Sequence, residues 1–222
     1  MALLSDRDRE RVKEILAKMS GPVTLHYFTQ EFECDSCKVT HDLLEELRSL
    51  TPKLTVKVYE FTEGEGEAKR LGVDKIPAIV LEGRRVFKVR YFGVPSGYEF
   101  SAFLEDLVDA SRETVEVSED TKGWLASLKK PVHIQVFVTP TCPFCPRAVR
   151  MAHKLAFLSD QVTADMVSAN EFPHLAIKYR VMGVPKIVVN EGEVEFEGGL
   201  PEAAFMEHLR RIGMDTGPSM YT

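Results

Sequence analysis

The chain has four cysteines among its 222 residues, and they fall into two pairs, Cys34-Asp35-Ser36-Cys37 and Cys142-Pro143-Phe144-Cys145. Thiols three residues apart lie about one helical turn from each other, so they can close a disulfide or act in succession. At a helix N-terminus, unpaired backbone N–H groups and the helix dipole favour the thiolate, which is the nucleophile of disulfide exchange. The second thiol can then attack the mixed disulfide that the first has formed. The competing chemistry is a zinc site made of four thiolates. Zinc ribbons space their pairs by roughly 15–20 residues, whereas Cys37 and Cys142 are 105 residues apart. The spacing therefore favours redox chemistry and no metal. No cysteine remains to staple the fold, so this is not a small disulfide scaffold.

Each pair needs a strand and a helix to hold it. Residues 132–138 alternate and are rich in β-branched side chains, which predicts a strand, and Val149, Ala152, Leu155 and Ala156 predict a helix over 147–158. The first pair has the same frame. A strand is expected over 23–28, then a helix to about Leu50 with Val39, Leu43, Leu44 and Leu47 on its apolar side. Around these lie a helix over 5–19 capped by Ser5, strands over 54–60, 76–81 and 86–92, and helices over 63–71 and 100–108. A charged linker over 111–120 follows. The second half reads as helices over 118–128, 172–179 and 201–212, strands over 162–167, 185–189 and 194–197, and a poorly ordered tail from Gly213.

The order repeats because the sequence repeats. Cys34 and Cys142 differ by 108 in number, as do Cys37 and Cys145, Val73 and Val181, Pro77 and Pro185, and Ile79 and Ile187. Two domains are expected, 1–115 and 116–222. Each would be an α/β unit with a central mixed sheet and helices on both faces.

Both halves resemble the thioredoxin superfamily, in the redox pair between first strand and helix and in an apolar residue plus proline opening the third strand. The tandem form with Cys-Pro-Phe-Cys resembles the protein disulfide oxidoreductases of hyperthermophiles, and the second motif is similar to the Cys-Pro-aromatic-Cys of glutaredoxins. The resemblance implies two tandem thioredoxin-like folds with Cys34, Cys37, Cys142 and Cys145 as catalytic groups. It implies cis bonds before Pro77 and Pro185, with the backbone of Ile76 and Val184 pairing with an extended substrate chain. It implies protein disulfides and dithiols as substrates, which the enzyme reduces, forms or isomerises. No cofactor is expected beyond the two disulfides, and a thioredoxin-reductase-like flavoprotein would recycle them. The carboxylate that thioredoxins bury six positions before the first cysteine is replaced by Phe28 and Val136, so proton transfer needs another group or water. The tryptophan that usually precedes the motif is replaced by Glu33 and Thr141.

The two motifs differ in charge. Glu33 and Asp35 flank Cys34, partly offset by Lys38, while Thr141, Pro143 and Phe144 surround Cys142 with Arg147 nearby. Nearby negative charge disfavours a thiolate, so Cys142 is expected to be the more acidic thiol and the second site the dominant, less reducing one. Pro143 suits the first helical turn. Gly93, Gly198 and Gly199 could admit a substrate backbone or merely turn the chain. Phe32, Phe144 and Phe172 are candidates for an apolar substrate patch, with core packing the default for an isolated phenylalanine, whereas His26, His133 and Glu31 read as structural or solvated.

Composition narrows the rest. Hydrophobic content of 44% and charged content of 28% are ordinary for a globular chain, and the net charge of −6 argues against nucleic acid as the main partner. No apolar run approaches the roughly 18 residues of a membrane span, and the opening Met1–Asp8 has no apolar signal core. No membrane partner and a cytoplasmic location are therefore expected. Two alternatives remain: an electron-carrier domain serving a peroxidase or flavoprotein reductase, and a binding module with structural cysteines.

Overall fold

A computed structural model describes residues 3–62, 66–112 and 114–212. The tail predicted from Gly213 lies outside them.

In the first half the elements are α1 (Asp6–Leu16), β1 (Val23–Thr29), α2 (Asp35–Leu50), β2 (Leu54–Glu60), α3 (Gly66–Leu71), β3 (Ala78–Glu82), β4 (Val86–Phe92) and α4 (Glu99–Arg112). The second half has α5 (Glu119–Ser127), β5 (Val132–Val138), α6 (Cys145–Leu158), β6 (Val162–Ser168), α7 (Pro173–Lys178), β7 (Lys186–Val189), β8 (Val194–Glu197) and α8 (Glu202–Leu209). The Ser5 and Ser118 hydroxyls accept from the Asp8 and Thr121 amides and so start α1 and α5 as expected. The expected linker is shorter than its charge suggested, because α4 runs on to Arg112 before α5 begins at Glu119. Val39 is 44% exposed, not buried with Leu43, Leu44 and Leu47, which carry that face of α2 alone.

All eight strands join one sheet in the order β2-β1-β3-β4-β6-β5-β7-β8. β3 and β7 run against the other six. The halves meet where β4 pairs in parallel with β6, from Val89 opposite Ala164 to Phe92 opposite Val167. Alternation along each strand sends side chains to two cores. Leu25, Tyr27, Ile79, Val89, Tyr91, Ile134, Val136 and Met166 face the large core under α1, α2, α4, α5, α6 and α8. Phe28, Val80, Phe92, Phe137 and Val167 face a smaller core under α3 and α7.

Buried polar groups stitch the seam. Arg90 of β4 grips Asp165 of β6 with two N–H groups, at 2.6 and 2.9 Å, and His133 Nε2 lies 2.6 Å from the same carboxylate. Burial alone would raise the pKa of Asp165, but Arg90 and His133 outweigh it and hold this carboxyl well below the usual range. On the other face, Asp106 of α4 accepts from Tyr91 Oη, from Arg150 and from His153 Nδ1. Burial first, then Arg150, lowers the His153 pKa to about 3, so the ring is neutral, and its Nε2 has no hydrogen-bond partner among the described residues.

Candidate active site

β1 and β5 run in the same direction, so their C-terminal ends, which lead into the two cysteine pairs, lie at one end of the sheet. Both β1-α2-β2 and β5-α6-β6 step the same way along the sheet. Right-handed crossovers then place α2 and α6 on the same face, and both helices do contribute to the large core. Four strand spacings separate β1 from β5, about 19 Å at about 4.8 Å each. Bonds to zinc from sulfur are about 2.3 Å, so the four sulfurs cannot share one metal ion.

Each pair is closed as a disulfide, with Cα atoms 5.3 Å apart for Cys34–Cys37 and 5.5 Å for Cys142–Cys145. Cys34 is the N-cap of α2 and is partly exposed, while Cys37 is 2% exposed, and its carbonyl accepts from Tyr27 Oη at 2.6 Å. In the second site α6 begins at Cys145, and residues 142–144 form the turn before it. The proline in the first helical turn is therefore Pro146, not Pro143. Cys142 is 6% exposed. The Cys145 amide donates to Cys142 Sγ at 3.1 Å, and the Val184 carbonyl oxygen lies 3.6 Å from the same sulfur.

The peptide bonds Ile76–Pro77 and Val184–Pro185 are both cis. β3 and β7 start just after them at the end of the sheet that carries the disulfides, which places Val184 against Cys142. The glycines after β4 and β8 have roles that spacing did not reveal. Gly93 and Gly198 turn the chain with φ near +100° and donate to the carbonyls of Pro77 and Pro185. A Cβ on Gly93 would lie 2.6 Å from Ser168 and Glu171 of the other half, and one on Gly199 would lie 2.5 Å from the Phe144 carbonyl oxygen. The close approach is made by the chain itself, not by a substrate backbone. Phe32 and Phe144 are 75% and 68% exposed, whereas Phe172 is 4% exposed and packs on Phe92 in the smaller core. His26 is occupied by Tyr59 and Glu82, and His133 by Asp165.

Sequence reasoning missed Glu99. It opens α4, is 1% exposed, and has neither carboxylate oxygen hydrogen-bonded among the described residues. Burial raises its pKa to about 8. The residues before it dock on the loop leading to Cys142: the Tyr98 amide donates to Pro140 O at 3.1 Å, and Gly97 packs against the same carbonyl. Ser101 and Ala102 of α4 line one cleft with Pro146 and Arg147 of α6, so the first turns of these helices face each other. A glutamate in the other half of the chain carries no motif that ties it to a cysteine 43 residues away.

Residues 132–211 match the family model described as Thioredoxin domain. The thioredoxin of Methanocaldococcus jannaschii is 37% identical over 81 residues, 36% of this chain and 94% of that protein. The crystal structure of a protein disulfide oxidoreductase from Aeropyrum pernix superposes with a TM-score of 0.85 at 30% identity, covering 97% of this chain and 96% of the other. The chain belongs to the protein disulfide oxidoreductases. A component of the alkyl hydroperoxide reductase of Staphylococcus aureus is 23% identical over 213 residues. That alignment takes in 96% of this chain but only 38% of the reductase component. This chain consists of tandem thioredoxin-like folds carrying two Cys-x-x-Cys disulfides, and it is a thiol–disulfide oxidoreductase.

Proposed function

We propose that the second site carries most of the exchange with protein disulfides and that Cys142 is its nucleophile. The observation that carries this reading is the Cys145 amide aimed at Cys142 Sγ. In the reduced protein the same N–H stabilises a thiolate at that atom, a benefit that no hydrogen bond provides to Cys34 Sγ among the described residues. The Cys142 thiolate attacks a substrate disulfide and displaces one substrate sulfur as a thiolate. Cys145 then attacks Cys142 Sγ, releases the second substrate thiolate and closes the enzyme disulfide. Two electrons pass to the substrate, and the steps run backward in oxidation. Isomerisation uses only the first attack and rearrangement within the substrate. Cys34 and Cys37 play the corresponding parts at the first site. Ile76, Pro77, Val184 and Pro185 are the proposed substrate-binding residues, offering backbone groups to an extended substrate; the Val184 carbonyl beside Cys142 Sγ supports this at the second site.

In this reading residues 1–115 and 116–222 are two domains, each holding one site. Glu99 follows the Tyr98 amide that docks on Pro140, and its buried carboxyl, protonated near neutral pH, is offered as a proton store for the thiol chemistry of the second site. The location is the cytoplasm and the electron donor a thioredoxin-reductase-like flavoprotein. Similarity across almost the whole chain to part of the Staphylococcus aureus reductase supports a second reading, an electron carrier for a peroxidase.

The test is reduction of insulin by dithiothreitol. Loss of Cys142 and Cys145 to serine should cut turnover by about tenfold or more, and loss of Cys34 and Cys37 by less than about threefold. Full activity in both variants would remove the dominance of the second site. An inert wild type that still passes electrons to a peroxidase would favour the carrier reading.

A further inference from the structure

The 108-residue repeat allows the two disulfides to be compared position by position. Glu31, Glu33 and Asp35 flank the first pair in sequence and Asp74 stands two residues before Ile76; their equivalents at the second are Thr139, Thr141, Pro143 and Met182. Carboxylates stand at all four places in one site and at none in the other. Two lysines belong to the same stretches of the first site, Lys38 and Lys75. Each is already paired, Lys38 with Asp42 at 2.9 Å and Lys75 with Asp74, and Lys75 also lies over the Phe92 ring. Glu31, Glu33 and Asp35 are exposed and have no ion-pair partner among the described residues. Between Glu31 and Glu33 stands Phe32, 75% exposed. An aromatic face with a carboxylate on either side suits an ammonium or guanidinium, whose stem lies on the ring while its charge meets the acids.

The second site is more apolar along the chain, with one exposed carboxylate, Glu197, lying beside Gly183. Phe144 lies between its cysteines and is 68% exposed, and Met182, two residues before Val184, is 92% exposed. Arg147 is the only charged residue in 139–147 and 182–185. The acids are not themselves the site. They flank a disulfide whose first cysteine is partly exposed.

We propose that the Cys34–Cys37 site selects substrate polypeptides whose cysteines are flanked by lysine or arginine, leaving apolar-flanked cysteines to Cys142–Cys145. The inference rests on both pairs performing disulfide exchange. In the reducing direction the Cys34 thiolate breaks the substrate disulfide, one substrate thiolate leaves and takes a proton, and Cys37 displaces the other. The dithiol becomes the Cys34–Cys37 disulfide, the substrate gains two electrons, and dithiothreitol restores the dithiol in the assay.

The experiment uses the full chain as Cys142→Ser/Cys145→Ser and as Cys34→Ser/Cys37→Ser. Three probes are reduced: a cyclic disulfide peptide with lysine and arginine flanks, one with leucine and phenylalanine flanks, and uncharged bis(2-hydroxyethyl) disulfide. At about 0.01–0.02 M salt, where the screening length is on the order of 20–30 Å, the variant keeping the first site should reduce the basic peptide about tenfold faster than the apolar one. Near 1 M salt, with screening over about 3 Å, this ratio should approach one. The variant keeping the second site should prefer the apolar peptide. Adding Glu31→Lys and Glu33→Lys to the first-site variant should reverse its preference. Because the ratio is taken within one variant, any change in thiol reactivity cancels. Equal rates on both peptides at low salt, with the uncharged disulfide still reduced, would overturn the specificity and leave the exchange reading intact. Failure of both variants on the uncharged disulfide would overturn the exchange reading itself.

Discussion

The backbone N–H of Cys145 points at Cys142 Sγ from 3.1 Å, while the corresponding amide of Cys37 is turned to the Cys34 carbonyl at 3.2 Å. One amide is available to a thiolate and the other is spent on a turn. In the reduced protein Cys142 should therefore ionise at lower pH than Cys34, an ordering strengthened by the unpaired acids beside Cys34. Thiolate absorbance in the two single-site variants measures this directly, and the reverse order would contradict it. With its thiolate stabilised in the reduced form, the second site should also be the less reducing of the two.

Glu99 should leave its mark on stability. Its carboxyl ionises at about 8 when folded, against 4.5 for an ordinary glutamate, so the folded chain holds the extra proton between these values. Stability then falls as pH rises through that window. By this coupling Glu99 should cost on the order of 3–5 kcal/mol by pH 8. Glu99→Gln should flatten the decline in a urea titration series run from pH 5 to 8.5. It should also change the pH profile of insulin reduction if the carboxyl exchanges protons with the second site.

The seam should depend on Arg90. Arg90→Ala strips Asp165 of its main partner and leaves a buried charge, a loss of about 3–5 kcal/mol. In the wild type the Asp165 carboxyl is depressed, so its contribution is present above the unfolded carboxyl pKa and fades as pH falls toward the folded value. Acid unfolding of wild type against Arg90→Ala tests both statements. Comparable stability of the two would show that the parallel β4–β6 pairing holds the halves without the ion pair.

Two phenylalanines separate packing from recognition. Phe172→Ala should cost about 3–5 kcal/mol through the cavity it leaves beside Phe92. Phe144→Ala removes an exposed ring, and its stability should change by no more than about 0.5 kcal/mol. Its effect should appear as a raised KM for apolar peptides. Thermal melts and steady-state rates on the same two variants decide the matter.

The repeat, the two motifs and the order of elements within each half were legible because each rests on local signals: β-branched alternation, a helical apolar face, a serine cap, a fixed offset. The cis bonds before Pro77 and Pro185 came from family resemblance, since a proline at a strand start is compatible with either isomer. The single eight-stranded sheet was not legible. Pairing β4 with β6 depends on backbone groups, which every residue carries, and on Arg90 and Asp165 meeting across 75 residues of sequence. Val39 was misplaced, and Phe172 could not be told from Phe32 and Phe144, for one reason: sequence says that a side chain is apolar but not which neighbour covers it. Glu99 was invisible because its meaning comes from burial.

The β4–β6 seam also governs what happens after the first bond to a substrate has formed. A continuous ladder has no hinge between the disulfides, so their separation is fixed, unlike that of beads on a linker. A polypeptide held covalently at one site meets the other at a local concentration governed only by its own slack. About six extended residues are needed to span the roughly 19 Å between β1 and β5, the strands that lead into the two sites. Substrates whose cysteines lie closer together than that can be handled at one centre only. Longer loops can be held at both at once, so the sheet acts as a gauge of loop length as well as a scaffold.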